Sequence, residues 1–253
     1  SDMMMAYEAY LKNNGVSPNS SSFYMRNLRA VYNRAVEKGL TSQSFPFKHV
    51  YTGVDKTVKR AVPLKVIKRI KEMDFSMNPT FDFARDMFLI SFYTRGMSFV
   101  DMAYLRKKDL QNGVLSYRRR KTGQQLFIKW EKCMQEIVDK YDTSQSNYLL
   151  PIIKPFGDID ERKQYIYAAH NINRCLKIIG KELGLSVSLT LYVARHAWAS
   201  IAKSKNVPLS VISEGMGHDS EATTRIYLAS LDTVAIDKAN SMILKSLLSL
   251  IHI

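Results

Sequence analysis

Residues 189–228 read LTLYVARHAWASIAKSKNVPLSVISEGMGHDSEATTRIYL. Three side chains in this stretch belong to one kind of chemistry: Arg195, His218 directly after Gly217, and Tyr227 nine residues further on. A phosphodiester is an anion, and it gathers more charge on its oxygens as a nucleophile adds to phosphorus. Arginine and histidine can hold or protonate that charge, and a tyrosine hydroxyl can be the nucleophile. Local signals place these groups on helices. Pro208 suits a helix start that leaves Met216-Gly217-His218 at the helix end. Asp219-Ser220 can cap a further helix carrying Thr223, Thr224, Arg225 and Tyr227. His196, beside Arg195, points elsewhere on its helix and reads as structural.

The whole chain suits a polyanionic partner. Its 253 residues carry a formal net charge of +14, which favours nucleic acid or an anionic membrane surface. No apolar run approaches the roughly 20 residues of a membrane span. SDMMMAYEAY lacks the basic start and apolar stretch of a signal peptide. Nucleic acid is therefore the expected partner, and a membrane is not. At 46% hydrophobic residues the chain can bury the core of one large or two small domains. Cys133 and Cys175 stand far apart, which argues against a zinc site and for a reduced, cytoplasmic setting.

Further cations lie upstream. Gly113–Tyr117 and Gln125–Ile128 read as strands joined by RRRKTGQ, so Arg118, Arg119, Arg120 and Lys121 sit on a hairpin with Gly123 in its turn. Strand alternation puts Arg119 and Lys121 on one face and Arg118 and Arg120 on the other. Before the hairpin, Arg95 leads into a short apolar helix that stops at a basic turn with Asp109. Thr80–Tyr93 reads as a strongly apolar helix through the core, with Phe83, Met87, Leu89, Ile90 and Phe92. Trp130–Tyr141 and Tyr167–Leu183 read as further helices around a loop-rich stretch broken by Pro151, Pro155 and Gly157.

Pro63 suits the first turn of a helix through Leu64, Ile67 and Ile70. Residues 51–62 read as a linker, and seven residues from Lys56 to Lys71 are Lys or Arg, Lys59 and Arg60 among them. Such a connector suits a protein that closes around a duplex; the alternative is a solvated loop and helix face. Residues 1–50 read as helices over Met3–Asn13 and Ser20–Lys38, the second with an apolar stripe of Phe23, Leu28, Val31, Tyr32 and Ala35. Arg26, Arg29 and Arg34 interleave with that stripe, as phosphate contacts or as a solvated face. Two or three helices make a thin core, and the chain does not open on methionine. The expectation is a fragment that lacks earlier helices or carries a tag scar at Ser1.

SFYTRGMSFVDMAYL (91–105), RRRKTG (118–123), LTLYVARHAWAS (189–200) and ISEGMGHDSEATTRIYL (212–228) resemble the tyrosine recombinases of the phage integrase family, and more narrowly integrases of Bacteroides-type mobile elements. The resemblance covers about residues 63–228, and Met3–Phe47 is similar to the helical core-binding domain of that family. It implies a mainly α fold with a small antiparallel β element. The implied domains are a partial helical core-binding domain over 1–50, a linker over 51–62, and a catalytic domain with a helical tail over 63–253.

The implied activity is site-specific cleavage and rejoining of DNA through a 3′-phosphotyrosyl intermediate, integrating or excising a mobile element, with no cofactor or metal. Tyr227 is then the nucleophile, Arg195 a bidentate phosphate ligand, His218 a hydrogen-bonding or proton-transfer group, and Lys121 the acid for the leaving 5′-oxygen. Tyr192 stands where the family usually has a histidine. Ser98 stands where it usually has an arginine; Arg95, three residues earlier, is the expected substitute, with Arg118 or Arg120 as the alternative. Asp101 lies where an acid often braces the site. Arg118, Arg119, Arg120, Lys59 and Arg60 are expected DNA contacts.

Implied partners are double-stranded attachment sites, further copies of the chain in a tetrameric synapse, and accessory bending or directionality factors. The apolar tail over 231–253 docks on a neighbouring subunit or packs in cis. Because of Tyr192 and Ser98, a DNA-binding protein of the same fold with impaired catalysis is the alternative. A topoisomerase of the same mechanism is disfavoured by the short N-terminal unit.

Overall fold

The computed structural model describes residues 2–55, 60–154 and 159–228, the side chains of 226–228 excepted. Lys59 and the tail over 231–253 lie outside the described residues. The chain divides into two compact units, Ser1–Val58 and Lys59–Ile253.

In the first unit, α1 (Asp2–Asn13) and α2 (Pro18–Glu37) form a helical hairpin. Gly15 turns it in a left-handed conformation (φ 74°), and Ser17 caps α2 by accepting from the Ser20 amide. The core is as small as two helices allow: Leu11, Met25, Phe47 and Val50, with Met4, Val16 and Tyr32 against it. The face of α2 that turns inward is not the expected one. Phe23, Leu28 and Val31 are exposed, whereas Ser21, Ser22 and Met25 are buried. Small side chains let the returning chain approach closely: Ser22 Oγ donates to Gly53 O at 2.5 Å, and Asn19 exchanges two hydrogen bonds with the Asp55 backbone. Residues 51–55 are thus tied to this unit, Tyr51 through Glu8 as well. Arg26, Arg29 and Arg34 are exposed, and Arg29 donates to Thr52 Oγ1.

The second unit is built around α4 (Pro79–Tyr93), which packs on α7 (Glu161–Glu182) and α8 (Leu191–Ser204). A helix apolar nearly all round belongs in a core, and α4 buries Ala84 through Ser91 without a gap except Arg85. Its buried Asp86 is held by Arg85, Lys140 and the Tyr141 hydroxyl, so the charge is paired rather than stranded. α3 (Leu64–Glu72) lays Ile67 and Ile70 inward and leaves its lysines to solvent. α7 starts six residues before the expected Tyr167, because Asp160 caps it by accepting from the Arg162 and Lys163 amides.

Among the described residues the sheet has the antiparallel order β1 (Leu110–Gln111), β2 (Val114–Arg118), β3 (Gln125–Lys129). The β2–β3 pairing joins Leu115 to Ile128 and Tyr117 to Leu126. These four side chains form the inward face of the alternation. α5 (Phe99–Ala103) and a 3-10 turn (Lys107–Asp109) lead into the sheet, and α6 (Lys132–Val138) leaves it. α9 (Leu209–Gly215) sits on α8 through a small cluster of Ala199, Ile212 and Met216, and α10 (Glu221–Leu228) packs on both. A mainly α fold with a small antiparallel element is what the sequence predicts.

Candidate active site

The site forms where α8, the turn before α5, the β2–β3 hairpin and the α9–α10 connection meet. Arg95 and Gly96 end the chain reversal after α4 with positive φ (62° and 75°). Gly96 is required there. A Cβ on it would stand 2.6 Å from the Arg195 Cα, so only glycine lets α8 come this close. The closeness carries a bond: Arg195 Nη1 donates to Gly96 O at 2.7 Å. Its Nη2 donates to Met216 O at 2.7 Å and lies 2.8 Å from His218 Nε2. On the other side of the ring, His218 Nδ1 lies 2.7 Å from Thr224 Oγ1 of α10. Arg195, His218 and Thr224 are all buried.

The hairpin closes the constellation from the other side. Arg119 is 6% exposed, and its Nη1 donates to Gly217 O. Gly217 has φ 64°, and a Cβ there would crowd Leu126 and Arg119, so Gly217-His218 is also a place for glycine. The Arg119 backbone pairs with Gln124 and Gly123 across the turn. Asp101, 4% exposed, accepts from the Arg120 amide at 2.9 Å and from Ser98 Oγ at 2.6 Å. The residue at the position where an arginine is usual thus caps α5 and braces the hairpin through Asp101.

A cavity of about 360 Å³ opens beside these groups, lined among others by Arg119, Lys121, Tyr192 and Arg195. Lys121 is exposed, and Tyr192 stands at the rim, 46% exposed, with its ring edge-on to His196 at 4.6 Å. Burial, then the nearby charges of Arg195, Arg119 and Lys121, push the His218 pKa down to about 4. The ring is neutral at pH 7, and the cavity's positive charge comes from the arginines and the lysine. Burial also raises the Tyr117 phenol, beneath the hairpin.

The other candidates separate from this centre. Arg95 is half-buried along α9, its Cδ 3.6 Å from where a Gly215 Cβ would be, and is not among the residues lining the cavity. Arg118 is exposed and donates to Gly123 O, and Arg120 is exposed and lies over the Tyr104 ring at 4.0 Å. Arg60 is exposed. Tyr227 lies on α10, and its side chain is outside the described residues. Arg119, expected as a DNA contact, is the residue whose burial beside Arg195 and His218 the sequence did not single out. Its alternation with Arg118 and Arg120 was the available signal, but nothing local says which face Gly217 closes. Among the described residues no cluster of His, Cys, Asp and Glu could hold a metal, and no helix is long and apolar enough to cross a membrane.

A family model described as the phage integrase family matches residues 64–233, and one described as a phage integrase SAM-like domain matches residues 1–50. No curated protein matches the chain by sequence. Among solved structures, a lambda integrase dimer bound to a COC′ core site aligns with TM-score 0.67 at 15% identity, over 90% of this chain and 65% of that one. The chain therefore spans about two thirds of the length of that lambda integrase. A Tn1549 transposon integrase in complex with transposon right end DNA aligns with TM-score 0.65 at 17% identity, over 96% of this chain and 84% of that one. XerA recombinase aligns with TM-score 0.52 at 18% identity, over 94% of this chain and 81% of that one. At these identities the likeness is one of fold.

Proposed function

The chain belongs to the phage integrase family, and from that premise we propose that it cuts and rejoins double-stranded DNA at specific sites through a 3′-phosphotyrosyl intermediate. The observation that carries the proposal is the buried constellation of Arg195, Arg119 and His218, in which the two arginines line one cavity, His218 bonds to Arg195, and the Tyr227 helix bonds to His218 through Thr224. Preorganised donors in a site withdrawn from water stabilise the charge of a five-coordinate phosphorus far better than solvated ones do. Arg195 is the bidentate ligand of the nonbridging oxygens. Arg119 supplies the second guanidinium in place of the arginine that Ser98 replaces, a role the sequence favours for Arg95.

Lys121, exposed at the cavity edge, is the acid for the leaving 5′-oxygen, and Tyr192 contacts a phosphate oxygen from the rim. Tyr227 attacks from a helix, which holds its hydroxyl for in-line displacement. The covalent link keeps the bond energy, so rejoining needs no ATP.

We assign the chain to integration or excision of a mobile element of the Bacteroides type, on the four motifs that carry that likeness. One related structure is a lambda integrase tetramer bound to a Holliday junction; by analogy the partners here are attachment-site DNA and further copies of this chain. The cations Arg118, Arg120, Lys59 and Arg60 serve the DNA backbone. In domain terms, 1–50 is a helical core-binding domain, 51–62 a linker and 63–253 the catalytic domain. Tyr192 and Ser98 favour a second possibility, a DNA-binding protein with impaired catalysis. Nicked suicide substrates carrying candidate attachment sites separate the two. A covalent protein–DNA adduct that disappears in Tyr227→Phe supports the recombinase, and binding without an adduct on any site supports the alternative.

A further inference from the structure

We infer that Thr224 is a positioning residue that fixes His218 in a single tautomer, with its proton on Nδ1 and a lone pair on Nε2, and does so from the helix that carries Tyr227. The inference deepens the proposed reaction and rests on it. A guanidinium has only N–H groups to offer. With Arg195 Nη2 2.8 Å away, His218 Nε2 must accept, and the proton of the neutral ring then sits on Nδ1. Nδ1 has its acceptor in Thr224 Oγ1 at 2.7 Å, on a side chain with no exposure at all. A doubly protonated ring would set an N–H against the Arg195 N–H, and the surrounding cations oppose it as well. The geometry therefore admits one form, and Thr224 is its anchor.

The tautomer decides what His218 can do. A ring with Nδ1–H offers an acceptor on its Nε2 side and no proton for a nonbridging oxygen. Tyr192, where a histidine is usual, has a hydroxyl with a reference pKa of about 10 and is a poor base near neutrality. Once phosphate oxygens take the Arg195 N–H groups, Nε2 is released as the acceptor. In the step so assigned, the Tyr227 oxygen bonds to phosphorus and its proton passes to His218 Nε2. The bond from phosphorus to the 5′-oxygen breaks, and that oxygen takes a proton from Lys121. The bound phosphodiester brings the negative charge that offsets Arg195, Arg119 and Lys121, so a ring that resists protonation in the free protein can hold a proton during the reaction. Thr224 and Tyr227 are three residues apart on α10, so one helix sets both the nucleophile and the orientation of its base.

Two measurements test this. Nitrogen-15 NMR of the full chain with labelled histidine, without DNA, should show His218 with a protonated Nδ1 and an unprotonated Nε2; a protonated Nε2 overturns the inference. Single-turnover adduct formation on a suicide substrate should slow by about tenfold or more in Thr224→Val, which keeps volume and removes the hydroxyl, and recover to within about threefold of wild type in Thr224→Ser. DNA affinity should stay within about twofold in both variants, because Thr224 is fully buried and presents no surface to a duplex. Equal losses in the two variants, weaker DNA binding in step with the rate, or wild-type rates in Thr224→Val each overturn it. If wild-type protein forms no adduct, the proposed reaction is what fails, and the NMR measurement still decides the tautomer. Should Thr224→Val not fold, Thr224→Ser and the NMR result carry the test.

Discussion

The floor of the cavity and the outer face of the β2–β3 hairpin carry the same residue type to different ends. Arg118, Arg119 and Arg120 are consecutive, yet Arg119 is buried with its guanidinium on Gly217 O, while its neighbours are exposed, one on the turn carbonyl of Gly123 and one over Tyr104. Arg195 shares the condition of Arg119, held by the carbonyls of Gly96 and Met216. Backbone carbonyls are fixed in place and neutral, so they orient a guanidinium without cancelling its charge. The buried pair is thus ready for an anion before it arrives, whereas the exposed pair is screened by salt and has side-chain entropy to lose on contact. Preorganisation, more than charge count, separates the buried pair from the exposed one.

The largest effect should come from removing the space that permits burial. Gly96→Ala combines a positive φ with a Cβ 2.6 Å from the Arg195 Cα, so it should cost on the order of 3 kcal/mol. Gly123→Ala has a similar φ but nothing within 4 Å, and should cost about 1 kcal/mol. Denaturant midpoints at equal m-values would show the difference, and equal costs would mean that α8 can move away from Gly96.

The His218 ring offers a measure of the same burial through pH. Its native pKa is about 4 against 6.5 for the free side chain. Between these values the unfolded chain takes up a proton that the native protein does not. The stabilisation is fully present above pH 6.5 and is lost as pH falls to about 4, a change on the order of 3 kcal/mol. Thermal unfolding from pH 7 to 4 should show this loss in the wild type and less of it in His218→Gln. The smallest effects belong to the outer face. Arg118→Ala and Arg120→Ala should each lower the salt dependence of DNA binding by about one unit of slope and change cleavage by less than about tenfold. A larger cleavage defect would erase the distinction between the two faces.

Much of this arrangement was legible in the chain, wherever it depended on neighbours in sequence. The two short strand-like runs on either side of RRRKTGQ gave the hairpin, over Gly113–Tyr117 and Gln125–Ile128. Asp219-Ser220 and Pro208 marked the helices around Gly217-His218. What was not legible depends on contacts between distant segments. Arg119 reaches Gly217, 98 residues away, and hydropathy codes a buried arginine and an exposed one alike. In α2 the apolar stripe of Phe23, Leu28 and Val31 misled, because the buried face is chosen by the close return of Gly53 onto Ser22. The two-residue strand β1 is too short to have a period at all.

The central claim is that Arg119, and not its neighbours, meets the charge of the scissile phosphate. A suicide substrate made with either the phosphate or a neutral methylphosphonate at the scissile position tests it directly, because the second lacks the anionic oxygen an arginine would hold. In single-turnover cleavage, Arg119→Ala should lose about 100-fold or more on the phosphate and less than about threefold on the methylphosphonate, with Arg118→Ala nearly unaffected on both. Equal losses of Arg119→Ala on the two substrates, or a phosphate-specific loss in Arg118→Ala, would contradict the account.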